Sequence, residues 1–325
     1  MKKVITMVGT SLFENYMEKH DNTNFEIAYK YLKENKIKAN KMDDVDYINT
    51  LKGKLNNQYF KNNINASAEI KSLTILKKQL KENFDIYLLH SDTALSRLAA
   101  EILKEKLNLY DELQNSNIII KKIEGLQIWD KKEFEEGMAN LTNEIYNIAQ
   151  GYWGNIVINI TGGYKATIPY LTILAQINEC PIYYSFEETD ALIEIPHFAP
   201  VKIEINWELF GRYLEIFEKI EHPKSLLKNE VDEQFLGECI TIINEEEIDN
   251  QFYISLSPIG EIFWRKYKEK YFIFYAPENV YREIETQKNI KQILTQKFWR
   301  NEQRKNKTEI KNGHQVYDDG NNPYR

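Results

Sequence analysis

The sequence predicts an α/β fold: a Rossmann-like, mostly parallel sheet flanked by helices, then a winged-helix-like α+β connector and a basic C-terminal segment. Three observations carry this. Over roughly the first 200 residues, short apolar runs alternate with stretches of helical spacing, the pattern of successive βαβ units. Small polar turns follow three of these runs, at Gly9-Thr10-Ser11, His90-Ser91-Asp92-Thr93 and Thr161-Gly162-Gly163-Tyr164-Lys165, where a parallel sheet gathers its ligand contacts. Beyond about Pro200 the alternation gives way to helices around one short strand. The expected organisation is a first domain over 1–203, a connector over 204–277 and a third segment over 278–325.

Taken in order, residues 4–8 predict a buried strand. Helical spacing covers 25–35 and 66–82; the polar, Asn-rich stretch 36–65 between them is expected to be a long excursion. Strands follow at 85–89, 118–123 and 155–160, and helices at 94–107, 131–150 and 165–178. Residues 181–186 and 192–195 predict a hairpin across Glu187-Glu188-Thr189-Asp190. In the connector, 207–220 is expected to be a helix stopped at His222-Pro223, and 225–243 largely helical with Glu245-Glu246-Glu247 after it. A short strand at 252–256 then precedes Ser257-Pro258, an N-cap and first-turn pair opening a helix over 259–270.

Composition narrows the function classes. The chain has 325 residues, 42% apolar and 28% charged, with net charge −7. An acidic protein is a poor coat for nucleic acid, although a local basic pocket remains compatible. Cys180 and Cys239 form no CxxC pair, so neither a disulfide framework nor a zinc site is indicated, and no metal site is expected. No apolar run approaches the roughly 18 residues of a membrane span, and the N-terminal stretch lacks a signal-peptide core, so a cytoplasmic protein without a membrane partner is expected. From Thr286 onward nine Lys and Arg face four Asp and Glu, so the remainder carries −12. That asymmetry marks a tail or a separate function.

The feature richest in chemistry is Thr161-Gly162-Gly163-Tyr164-Lys165. Paired glycines let backbone amides approach a phosphate, the following helix adds a partial positive charge, and Lys165 a full one. A tight strand-to-helix turn with a solvated lysine is an equal reading. Neither a P-loop nor a Gly-x-Gly-x-x-Gly fingerprint occurs. At the second turn, His90, Ser91, Asp92 and Thr93 can hydrogen-bond a base or ribose. Asp92 is more readily an N-cap, with Ser91 or Thr93 able to share the task, and His90 reads as a structural histidine.

Met7-Val8-Gly9-Thr10-Ser11-Leu12 together with Thr161-Gly162-Gly163-Tyr164-Lys165 resembles the CRISPR-associated Rossmann-fold (CARF) proteins over roughly residues 1–200. The resemblance implies a homodimer whose paired sites bind a cyclic oligoadenylate made by a type III CRISPR system, with cyclic tetra-adenylate the preferred ring and no cofactor. It implies ligand contacts from Gly9, Thr10, Ser11, His90, Ser91, Asp92, Thr93, Thr161, Gly162, Gly163, Tyr164 and Lys165. Ser11 and Lys165 match positions that some members use to cleave the ring, a ribose 2′-hydroxyl attacking the adjacent phosphate.

The basic stretch containing Arg300, Arg304, Lys305, Lys307, Lys311, His314 and Tyr317 suits single-stranded RNA. Over about 280–325 it is similar to the middle of a RelE-type mRNA interferase, which implies metal-independent cleavage of mRNA on the ribosome. A solvated basic tail is an equal reading. A HEPN ribonuclease is disfavoured, because no Arg in the C-terminal half has a His close behind it. Three functions follow: a cyclic-oligoadenylate-activated ribonuclease, a ring nuclease, and a winged-helix transcriptional regulator. The last is disfavoured by the acidic connector, with Glu230, Asp232, Glu233 and Glu238 beside the Glu245–Glu247 run.

Overall fold

A computed structural model describes residues 1–40, 45–186, 191–195 and 205–271, and the backbone of 307–311, 314–318 and 323–324. Contacts divide the chain into two units, Met1–Ile205 with Glu218–Ile262, and Asn206–Phe217 with Phe263–Arg325.

The first unit is built on β1 (Lys2–Val8), β2 (Phe84–His90), β3 (Asn117–Lys122), β4 (Ile156–Asn159), β5 (Ile182–Ser185) and β6 (Leu192–Ile195). They form one sheet in the order β3-β2-β1-β4-β5-β6, parallel except for the antiparallel β5–β6 pair. This is the Rossmann-like sheet predicted. The strands are nearly continuous apolar runs because the sheet is covered on both sides. Val4, Ile86, Leu88 and Val157 share one core with Phe13, Phe25, Leu73 and Leu98 from the helices.

The helices of this layer are α1 (Ser11–Lys19), α2 (Thr23–Glu34), α3 (Val45–Lys54), α4 (Asn57–Phe60), α5 (Ala68–Leu80), α6 (Ala94–Lys106), α7 (Lys131–Ala149) and α8 (Ile168–Asn178). Side-chain caps set several starts: Asn22 accepts from Phe25 N, Ser67 from Ile70 N and Asp130 from Glu133 N, each satisfying an otherwise orphaned amide. Two expectations fail here. Residues 36–65 are not a structureless excursion, since α3, α4 and a 3₁₀ turn at Ile64–Ala66 occupy much of them. Ile48, Leu51, Leu55 and Phe60 are buried there, so a sparse apolar stripe suffices to dock a polar segment. Helix α1 was not foreseen; Leu12, Phe13 and Tyr16 bury its inner face.

The stretch 225–243 is not largely helical. It holds β7 (Leu226–Leu227), a 3₁₀ turn at Lys228–Glu230, a helix over Glu233–Cys239 and the start of a strand over Ile243–Ile248. That last strand, β8, pairs antiparallel with β9 (Gln251–Leu256), and β7 pairs with the other edge of β9. Glu245, Glu246 and Glu247 therefore lie in an exposed edge strand rather than after a helix. Cross-strand pairing has overridden their weak strand preference. Asp249 and Asn250 both have positive φ, 50° and 60°, and form the two-residue hairpin turn between these strands. Within this unit, 218–262 packs on α7. Tyr146 donates to Ile262 O (3.3 Å), His222 Nε2 lies 3.0 Å from Asn140 Oδ1, and Asn244 donates to Glu135 (2.8 Å).

The predicted helix 207–220 is interrupted at Tyr213 (φ −107°, ψ 29°), giving separate helices over Trp207–Arg212 and Leu214–Ile220. Phe210, Phe217, Trp264 and Tyr267 form a stacked aromatic cluster. Ser257 Oγ accepts from Gly260 N (3.1 Å) at the start of the helix Pro258–Lys270, as its sequence predicts. Three further strands, Lys307–Lys311, His314–Asp318 and Pro323–Tyr324, form an antiparallel sheet with Lys311 opposite His314 and Tyr317 opposite Tyr324.

Candidate functional site

Register brings the three predicted turns to one rim. Val8 pairs with His90, and Thr6 with Asn159, so Gly9, Ser91 and Thr161 leave the sheet almost level. Strand order reverses direction between β1 and β4, and a doubly wound sheet opens its crevice at that point.

Backbone contact at the switch point is close. A methyl added to Gly9 would stand 2.9 Å from Gly163 N, and one added to Gly163, at φ +84°, would meet Met7 Cβ at 2.5 Å. Gly162 has no room either: its added methyl would overlap Glu69 Oε1 and lie 2.8 Å from Met7 O. The pair of glycines is thus required by packing as well as by turn geometry.

Glu69, on the first turn of α5, lies beneath the rim and is 1% exposed. Its Oε1 accepts from Gly9 N (2.8 Å) and its Oε2 lies 3.4 Å from Ser11 Oγ. Burial pushes this carboxyl above the usual carboxylate range, opposed by the groups of Gly9, Ser67 and Ser11 that bond to it. Ser11 Oγ also accepts from Ala68 N (3.2 Å), tying the first turn to the start of α5. Thr10 is engaged locally, donating to Glu14 (3.2 Å).

The second turn is buried. Thr93 caps α6, its Oγ1 accepting from Ser96 N (3.3 Å). Asp92, the favoured cap from sequence, instead accepts from Gly125 N (3.3 Å) and lies 3.8 Å from Lys122 Nζ. Ser91 Oγ lies 3.1 Å from Thr93 Oγ1 and 3.4 Å from Tyr164 OH, which links this turn to the third. Ser96 Oγ donates to Val8 O (2.8 Å), which links it to the first. His90 lies 2.8 Å from Ser91 O, and burial lowers its pKa, a neutral structural histidine as read from the sequence.

In the third turn Thr161 bonds to Asn159 Oδ1 (2.8 Å), and Asn159 donates to Ser72 (2.8 Å). Lys165 is different from everything around it. It is exposed, opens the 3₁₀ turn Lys165–Thr167 that leads into α8, and has neither ion pair nor hydrogen bond among the described residues. The rim therefore offers backbone amides, hydroxyls and one uncommitted cation, a donor set suited to phosphate. Among the described residues no group of His, Cys, Asp and Glu is placed to hold a metal ion.

Glu69, Asn159 and Ser96 were missed from sequence. Glu69 reads there as an ordinary first-turn acid favoured by the helix dipole; only the fold shows it to be buried. Of the C-terminal candidates, Arg300, Arg304 and Lys305 lie outside the described residues. Lys307, Lys311, His314 and Tyr317 fall on the antiparallel strands described above.

A doubly wound sheet with three small-residue turns at its switch point defines a Rossmann-like domain. Residues 64–198 match a family model described as CRISPR-associated protein (Cas_APE2256), so this segment is similar to a CRISPR-associated family of CARF type. The matched segment holds α5 with Glu69 and the second and third turns. No curated protein matches the chain. No helix among the described residues is long and apolar enough to cross a membrane.

Proposed function

We propose that the rim binds a cyclic oligoadenylate, cyclic tetra-adenylate by preference, and that the protein is a sensor of this messenger in type III CRISPR defence, acting as a homodimer. The observation that carries this is Lys165: an exposed cation, unpaired among the described residues, beside two glycines pressed against β1. A lysine with no partner among the described residues is free to meet a ligand charge. The backbone amides of Gly162 and Gly163 and the hydroxyl of Ser11 supply the remaining donors, and Tyr164, bonded to Ser91, lies where a base or ribose would follow. Ring size, dimerisation and the type III setting come from the sequence resemblance.

A second reading is favoured by Ser11 sharing this rim with Lys165. In a ring nuclease the 2′-oxygen of a ribose attacks the neighbouring phosphorus, and the 5′-oxygen leaves with a proton. The products are a 2′,3′-cyclic phosphate and a 5′-hydroxyl. Ser11 would hold the phosphate in line and Lys165 would offset the charge that builds on its oxygens. The C-terminal RelE-like ribonuclease remains part of the proposal on the strength of its basic residues, as mRNA cleavage switched on by the bound ring. DNA binding by the connector is a weaker reading, because Glu245–Glu247 line the exposed edge strand β8.

Incubation of the protein with labelled cyclic tetra-adenylate, followed on native gels and by product analysis, tests these together. A retained intact ring supports the sensor, and an opened ring the nuclease. Failure to bind either cyclic tetra-adenylate or cyclic hexa-adenylate overturns the rim assignment.

A further inference from the structure

We propose that Glu69 is a positioning residue that decides where the Ser11 hydroxyl proton points, so that an anion binds at the rim together with one proton taken up by Glu69. The inference rests on the reading of the rim as a phosphate site.

The argument starts from what a hydroxyl can do. Ser11 has one proton to donate and two lone pairs to offer. One lone pair is taken by the amide of Ala68, 3.2 Å away. The neighbour on the other side is Glu69 Oε2 at 3.4 Å, while Glu69 Oε1 is held by the amide of Gly9 at 2.8 Å. When Glu69 is ionised it can only accept, so the Ser11 proton turns inward and a lone pair faces the rim, repelling a phosphate oxygen. When Oε2 carries a proton, it donates to the second lone pair of Ser11, and the Ser11 proton is released outward to a phosphate. The one bond formed is the O–H on Glu69 Oε2, its proton gained from solvent; no bond between heavy atoms changes.

The surroundings favour this exchange. The groups that act on the Glu69 carboxyl are its own amide and that of Gly9, with the hydroxyls of Ser67 and Ser11; none carries a charge. Charged residues on the elements around it include Lys71, Lys77 and Lys78 on its own helix, Glu14, Glu18 and Lys19 on α1, Glu194 on β6 and Lys165 on the third turn. Lys71, although buried, makes interactions of its own. Glu14 is bonded to Tyr29 and Lys33, Glu194 to Tyr183, and Lys165 is exposed. A phosphate arriving beyond Ser11 adds a like charge and disfavours the ionised carboxyl further. By linkage, the protonated carboxyl must favour the phosphate by the same factor.

The test is calorimetry of the full chain with cyclic tetra-adenylate, in buffers of different ionisation enthalpy, from about pH 5 to about pH 9. The ring stays in one charge state near neutrality, so any proton taken up enters the protein. The wild type is expected to take up nearly one proton at its maximum, and to lose up to about tenfold in affinity per pH unit above the carboxyl's pKa. In Glu69→Gln the amide takes the place of the protonated acid, so affinity is expected to persist and its pH dependence to flatten. Should that variant not fold, Ser11→Ala removes the hydroxyl and is expected to diminish the uptake. Binding without proton uptake, or equal uptake in Glu69→Gln, overturns the inference and leaves the rim assignment standing. An absence of binding at every pH overturns both.

Discussion

Gly162→Ala probes the packing beneath the rim without touching any ligand-facing side chain. The added methyl overlaps Glu69 Oε1 and stands 2.8 Å from Met7 O. Neither obstacle yields easily, since Met7 belongs to the central strand and Glu69 is buried and bonded to Gly9. Forcing a methyl into such a site costs about 1–3 kcal/mol. If the carboxyl moves aside, the Gly9 amide loses its acceptor, adding about 1–3 kcal/mol. The sum, about 2–6 kcal/mol, corresponds to a melting temperature lower by roughly 4–24 °C for a domain of this size. Gly154→Ala is the matched control, because nothing lies within 4 Å of the methyl it adds; its stability should stay within about 0.5 kcal/mol of wild type. Urea unfolding followed by circular dichroism compares the two at equal m-value. Equal midpoints would refute the packing argument. A Glu69→Ala background should relieve part of the Gly162→Ala penalty, making the pair non-additive.

Lys165→Ala should weaken cyclic tetra-adenylate binding by roughly 10- to 100-fold, the worth of one charge-assisted hydrogen bond, with an unchanged melting temperature because Lys165 has no partner among the described residues; isothermal titration and a thermal melt read the two. Burial raises the folded-state pKa of Glu69, so the native state keeps this proton where the unfolded chain has already released it. Stability should therefore fall as pH rises from about 4.3 through the folded pKa, and the pH profile of Glu69→Gln should lack that slope. Cys180 and Cys239 are both buried, and burial pushes the Cys239 thiol up to about 12. Neither should react with a thiol reagent at neutral pH until denaturant is added, and prompt labelling of the native protein would contradict their placement.

The sheet was legible because its strands are continuous apolar runs ending in small polar residues. Residues 4–8, 85–89 and 155–160 each carry both signals, and the three turns that follow them do converge. Where one signal was weak, the sequence misled. Residues 45–54 bury only a thin stripe, so Asp46, Asn49 and the two lysines masked a helix. The Glu245–Glu247 run reads as a solvated tail to a helix, and only pairing with β9 makes it a strand. The rim itself was half legible. Its glycines and Lys165 announce themselves by type, whereas Glu69 belongs to the rim solely because a helix some sixty residues away in sequence ends against Gly9. The cap at Thr93 shows the same limit on a smaller scale, since Asp92 is the better candidate by residue type until backbone direction assigns Thr93 to the helix and Asp92 to the Gly125 turn.

The return of the chain onto α7 bears on how this protein can be cut. Tyr146, Asn140 and Glu135 on that helix find partners at Ile262, His222 and Asn244, all of them contributed after the sheet is complete. A fragment ending once β6 has been laid down would bare this flank of α7 and strip Tyr146 of a buried bond. The sheet is therefore not a detachable cassette, and a minimal version that retains the rim should run on through Ile262 to keep its own helix clothed.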